Sequence, residues 1–91
     1  MNIETLRQSI DQIDRDIAER LNQRAELAAQ IGQLKKAQRH KTVFCPIREE
    51  YILHHVANLT SPPLTQAAMT SIFKCIIKHC RTIQEQADDH I

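Results

Sequence analysis

Glycine occurs once and proline three times in the 91 residues. That is too little turn chemistry for a sheet of hairpins, whose tight loops draw on glycine, proline and asparagine. Tryptophan is absent, with only two phenylalanines and one tyrosine, so any core is aliphatic. The formal charge is +1, without the basic excess of a general nucleic-acid binder. No run approaches the ~18 consecutive apolar residues of a membrane span. Three cysteines, an odd number without framework spacing, point to a reducing compartment. Met1-Asn2-Ile3-Glu4 has neither the basic nor the apolar region of a signal peptide. The expectation is a cytoplasmic protein that engages neither nucleic acid nor membrane.

What the chain does have is helix formers: runs of Gln, Ala, Leu, Ile, Arg, Lys and Glu throughout. The fold class is therefore all-α. One domain, 1–91, is expected to hold three helices over about 3–38, 46–58 and 64–87.

The first helix organises the rest. Leu6, Ile10, Ile13, Ile17, Leu21, Ala28 and Ile31 recur at steps of three and four, one apolar face. Arg24 lies about 20° round the wheel from both Ile17 and Ile31, so a cation points where they point. Lys35 follows about 20° from Arg24 and ~16 Å further along the axis. Charge on a buried stripe is costly unless an opposite charge meets it. Gly32 is the one soft point, either a helix end or a close approach of another helix or a ligand. The strong helix formers after it favour continuation. Such a helix would be ~50 Å long, against a diameter of roughly 30 Å for a compact chain of this size. It would overshoot its own globule and leave apolar surface bare. An obligate oligomer follows, most simply a two-fold dimer with the long helices side by side.

Arg39 to Phe44 reads as a basic connecting loop. Pro46 suits the first position of a second helix, with Glu49 and Glu50 near its positive end. Ile52, Val56 and Leu59 mark its inner face. Glu49 lies about 20° from Val56 and Arg48 about 20° from Leu59, although both also suit a solvated helix start. Thr60-Ser61-Pro62-Pro63 ends that helix. The third helix carries Ala68 or Met69, Ile72, Ile76, Cys80, Ile83 and Ala87 on its stripe, with Gln84 at the edge about 40° from Cys80. The tail, Asp88 to Ile91, is expected to fray.

Metal ligation fails on spacing. Cys75 and Cys80 diverge by about 140° and His54 and His55 by about 100° on a helix. The two cysteines read as small core residues. No histidine is placed to activate a thiol, and no glycine-rich phosphate loop is present. What remains is Arg24, Lys35, Arg48, Glu49 and Gln84, from three helices and all on inward faces. Packed together they form a cationic pocket with one carboxylate and one amide. It suits a small dianion carrying a hydroxyl, and charge stabilisation of a rearrangement or elimination. The alternative is an internal salt-bridge network joining Arg24 or Lys35 to Glu49.

At these residues the sequence resembles the all-helical chorismate mutase family. The likeness runs through Leu6-Arg7, Ile10-Asp11-Gln12-Ile13-Asp14, Arg24-Ala25-Glu26-Leu27-Ala28, Ile31-Gly32 and Lys35. It continues through Pro46-Ile47-Arg48-Glu49-Glu50, Ile72-Phe73 and Ile76-Ile77 to Gln84, covering about residues 5–86. The resemblance implies an intertwined homodimer with two equivalent sites that converts chorismate to prephenate without a cofactor. It implies that Arg24 holds one substrate carboxylate, while Arg7 reaches in from the other subunit for the second. Arg7 lies about 100° from Arg24 on the wheel, which agrees with a role in the partner's site. Lys35 and Gln84 would bracket the ether oxygen, Glu49 would accept the ring hydroxyl, and Arg48 would support the carboxylate end. Cys45 and Cys80 would also face the substrate. Cys45 stands where many relatives carry an aspartate, and Cys80 where serine is more usual. The change at Cys45 is harmless if that position contributes its backbone N–H and weakens hydroxyl binding if a carboxylate matters. Cys80 removes a hydroxyl donor, and the two together point to lower affinity or a shifted substrate. An isochorismate pyruvate-lyase or an aminodeoxychorismate mutase shares the fold, and a non-catalytic helical docking module is the reading from another class.

Overall fold

The computed structural model describes residues 2–38 and 45–86. The expected basic loop at Arg39–Phe44, the helical position Ala87 and the tail Asp88–Ile91 lie outside the described residues. Three helices make the fold: α1 (Ile3–Ala37), α2 (Pro46–Asn58) and α3 (Gln66–Gln86). No described helix is long and apolar enough to cross a membrane.

α1 and α3 start at side-chain caps, and α2 starts at a proline without one. Asn2 is the N-cap of α1, its Oδ1 accepting from the Thr5 backbone N–H at 2.8 Å. Glu4 then sits at the positive end and Lys35 and Lys36 at the negative end, both favourable to the helix dipole. α1 passes through Gly32 without interruption. Ala28 and Gly32, one turn apart and both small, are its buried residues. α1 packs on α3 alone among the described elements.

Pro46 opens α2, and the Glu49 N–H donates to the Cys45 carbonyl at 3.0 Å. α3 begins two residues later than periodicity predicts. Leu64 belongs to a turn, its N–H donating to Ser61 O at 3.1 Å. Thr65 is the cap, its Oγ1 accepting from the Ala68 N–H at 3.0 Å.

α3 is the central element. It packs against both α1 and α2, which do not pack on each other. The buried core is correspondingly small: Ala28, Val56, Ile77 and Cys80. Three side chains of α2 and α3 expected inside are not. Leu59 is 66% and Ile72 48% exposed. Cys75, read as a core residue, is exposed because it lies about 140° from Cys80 on the helix, while Ile77 lies at 7%. The inner face of α3 is thus turned toward Ile77 and Cys80, because it serves two neighbours rather than one.

Every described position in the N-terminal half of α1 is exposed. Leu6, Ile10, Ile13, Ile17 and Leu21, the apolar stripe itself, are between 39% and 55% exposed. The molecule measures 55 × 27 × 13 Å, with a radius of gyration of 16.3 Å, against roughly 12 Å for a compact chain of this length. The extended shape follows from one 35-residue helix meeting partners too short to cover it.

Core and surface separate cleanly in consequence. Ile77→Ala is expected to cost about 2–4 kcal/mol and Leu59→Ala under about 1 kcal/mol. Urea denaturation at a fixed protein concentration measures both.

Candidate active site

α1 and α2 stand on the same central helix without touching, which leaves a cleft between them floored by α3. It encloses about 440 Å³. α1 contributes Arg24 and Lys35, three turns apart on one face, with Ala28 and Ile31 between them. α2 contributes Cys45, Arg48 and Glu49 from its first turn. α3 contributes Ile77, Cys80, Arg81 and Gln84. The apolar lining is short and aliphatic, and the polar groups converge from all three helices.

Seven of the eight side chains singled out from sequence line this cleft: Arg24, Lys35, Cys45, Arg48, Glu49, Cys80 and Gln84. The eighth, Arg7, does not. It is exposed on α1, roughly 25 Å along the axis from Arg24, beyond reach of its own cleft. Cys80 is buried and Cys45 exposed. Arg24, Lys35, Glu49 and Gln84 are half-buried.

Arg48 departs from the inward position expected for it. It is exposed, at the rim, with its guanidinium carbon 5.2 Å from the Tyr51 ring centroid, a cation–π contact. The cause is the one that exposes Leu59. The two share a direction on α2, and α3 does not cover it.

Two polar ties cross from the walls to the floor. The Lys35 ammonium donates to Gln84 Oε1 at 3.2 Å, joining α1 to α3. This contact also orients the amide. Oε1 must face the cation, which turns the Nε2 donor elsewhere. The second tie joins α3 to α2. Arg81 Nε donates to Glu49 Oε2 at 3.0 Å, and its Nη2 donates to Oε1 at 2.5 Å and Oε2 at 2.7 Å. The carboxylate of Glu49 is therefore paired with Arg81, not with the Arg24 or Lys35 of the salt-bridge alternative. Arg24 makes no hydrogen bond or ion pair with any described residue.

Arg81 is the residue sequence reasoning missed. It lies about 60° from Gln84 and about 100° from Cys80 on the wheel, off the stripe that defined the inner face. Its signal was an arginine beside the inward edge facing the lone acid of the set.

The lining thus carries four cations, Arg24, Lys35, Arg48 and Arg81, against the single carboxylate of Glu49. Four minus one leaves a formal excess of three positive charges. Such a cleft binds a small polyanion, with oriented donors for an oxygen that gains charge. No group of three or more His, Cys, Asp or Glu able to hold a metal ion occurs among the described residues.

Residues 6–85 match the family described as chorismate mutase type II. The chain belongs to that family. A crystal structure of chorismate mutase from Helicobacter pylori, in complex with prephenate, superposes with a TM-score of 0.87. The two are 28% identical, with 98% of this chain and 96% of that one covered. The bifunctional chorismate mutase/prephenate dehydratase of Neisseria gonorrhoeae is 32% identical over 78 residues, 86% of this chain. That of Aquifex aeolicus is 31% identical over 88 residues, 92% of this chain. The chain spans only 21% and 24% of the length of these two relatives. The similarity is to one part of a longer protein.

The cleft of this chorismate mutase type II family member carries two thiols. Cys45 is exposed at the mouth, Cys80 is buried, and Cys75 is exposed elsewhere. Access governs thiol reactivity. A maleimide reagent is expected to label Cys45 and Cys75 at least about tenfold faster than Cys80. A ligand in the cleft slows Cys45 and Cys80, which line it, and leaves Cys75 unchanged. Mass spectrometry of timed digests checks the order, and equal protection of Cys75 would refute the assignment.

Proposed function

We propose that this chain catalyses the rearrangement of chorismate to prephenate in the three-helix cleft, without a cofactor, within a homodimer. The observation that carries the reading is the pairing of Lys35 with Gln84 at 3.2 Å inside a cleft with an excess of cations. It is supported by family membership and by the prephenate bound to the Helicobacter pylori enzyme.

The reaction is an intramolecular [3,3] shift. The ether C–O bond lengthens before the new C–C bond closes, so negative charge gathers on the ether oxygen as positive charge spreads over the ring. The protein needs neither a nucleophile nor a base for this. It needs donors aimed at one oxygen and clamps on two carboxylates. Lys35 brings a positive ammonium and Gln84 an Nε2 donor turned away from Lys35. Both stabilise the oxygen more in the transition state than in the substrate. Arg24, with no protein partner among the described residues, grips one carboxylate through its fork. Arg48 supports the carboxylate end from the rim, and Glu49 accepts the ring hydroxyl. Holding both ends keeps the flexible enolpyruvyl arm over the ring, which removes the entropy of finding that pose.

The second carboxylate falls to Arg7 of the partner subunit, the role the family resemblance implies, since Arg81 is committed to Glu49 and Lys35 to the ether oxygen. The exposed α1 stripe is the surface over which two copies intertwine, since a contiguous apolar face of this length marks an interface. A core this small also needs the partner to be stable. The sites are equivalent, and the domain works in the cytoplasm.

The direct assay follows chorismate consumption by absorbance, with acid conversion of the product to phenylpyruvate. Release of pyruvate instead would replace the mutase reading by the lyase. No turnover of chorismate, isochorismate or the amino analogue leaves the docking module. Lys35→Ala and Gln84→Met should each lower kcat by about 10²–10³-fold. Gln84→Glu tests the donor role by pH. A carboxylate there accepts only when ionised and donates only when protonated. Its kcat/KM is expected to rise about tenfold or more from pH 8 to pH 5, with little change in the parent protein.

Assembly has its own test. Arg7→Ala and Lys35→Ala homodimers are each nearly inactive, but exchange of subunits creates one intact site in every mixed dimer. Equimolar mixing and equilibration are expected to restore roughly a quarter of wild-type activity. No recovery, with exchange verified by mass spectrometry, places Arg7 outside the partner's site.

A further inference from the structure

Arg81 is the charged side chain of the cleft that the reaction above leaves without a task. It sits on α3 and grips Glu49 of α2 with side-chain exposures of 32% and 21%. A surface ion pair between long side chains contributes little. This one differs in three respects. It is two-pronged, it joins separate helices, and its acid is a wall of the cleft.

The geometry has a counting consequence. An ionised carboxylate offers about four lone-pair sites. Arg81 engages them through two N–H groups, Nε–H to Oε2 and one Nη2–H shared between Oε1 and Oε2. Oε1 is left as the less engaged acceptor, in a plane fixed by the guanidinium fork. There is a charge consequence too. Without Arg81, a bare carboxylate would face an incoming dianion and oppose its entry.

We propose that Arg81 is a positioning residue. Acting through Glu49, it sets the single direction from which the site accepts a substrate hydroxyl, and so selects cyclic dicarboxylates that carry that hydroxyl. The inference rests on the chorismate reading and assigns the hydroxyl selectivity of that same site to a residue that touches no substrate atom. The competing role is a plain tie between α2 and α3, which would affect stability without distinguishing substrates.

The test pairs the parent protein, Arg81→Met and Arg81→Lys with two substrates, chorismate and its analogue lacking the ring hydroxyl. For Arg81→Met, kcat/KM for chorismate is expected to fall about 10–100-fold. The fall is carried by KM, because the hydroxyl contact is equally present before and at the transition state. On the analogue the fall is about tenfold smaller, because the bare Glu49 carboxylate opposes either dianion but there is no hydroxyl to direct. Arg81→Lys, charged but one-pronged, falls between, and it carries the comparison if Arg81→Met does not fold. An equal loss on both substrates, or no loss on chorismate, overturns the proposal. Crystal structures of the parent and the Arg81 variants without ligand give a readout independent of turnover. Glu49 is expected in one rotamer in the parent and in several without the fork, and an unchanged Glu49 overturns the proposal as well. A parent protein that leaves chorismate untouched while Glu49 loses its orientation in the variants sinks the activity reading alone.

Discussion

A cleft holding four cations and one acid stores repulsion, and the arrangement of the three helices is a response to it. Glu49 is neutralised locally by Arg81, so the residual positive field falls to Arg24, Lys35 and Arg48. None of these is fully buried, and water in the open cleft carries part of their charge. A bound dianion expels that water and meets the cations in a medium of lower effective dielectric, where the attraction grows. The groups that create the field also hold the frame. Lys35 ties α1 to α3 through Gln84, and Glu49 ties α2 to α3 through Arg81. Each wall of the cleft is fastened to the floor by one of the polar groups that line it. Preorganisation and packing are therefore one property here, which is what a reaction needing only oriented charge demands.

The legible and illegible parts of this fold divide along a physical line. Periodicity reports which residues share a direction, and for α1 that sufficed to place Arg24 and Lys35 with Ile31 on one face. The capping residues Asn2 and Thr65 are ordinary N-cap types, but Leu64 extends the apolar pattern of α3 past Thr65 and hides that boundary. What periodicity cannot report is where a neighbour ends. Leu59 and Ile72 share directions with buried residues yet lie past the edge of α3's two contacts, and Arg48 follows Leu59 outward. Arg81 shows the converse. A residue off the stripe enters the site because α3 is approached from two sides, so its inner surface is wider than one stripe. The partner of Glu49 was invisible for the same reason. Choosing among Arg24, Lys35 and Arg81 requires the distance between helices, which no single-helix wheel contains.

The overhang of α1 connects shape to chemistry. A helix of 35 residues against partners of 13 and 21 leaves its first five turns uncovered. On a monomer such a stripe would only invite aggregation. In the proposed dimer it does two things at once. It contributes the apolar burial that four buried core side chains cannot supply, and it carries Arg7 out to a distance its own cleft could never use. The dianion then meets a cation from each chain, so the field at the substrate depends on assembly as directly as the fold does. Dilution below the dimerisation constant would remove stability and the second carboxylate clamp together. In that dimer a shorter α1 with the same cleft residues would leave Lys35 and Gln84 in place, yet leave one end of the proposed substrate unheld. The length of the first helix is in that sense part of the active site.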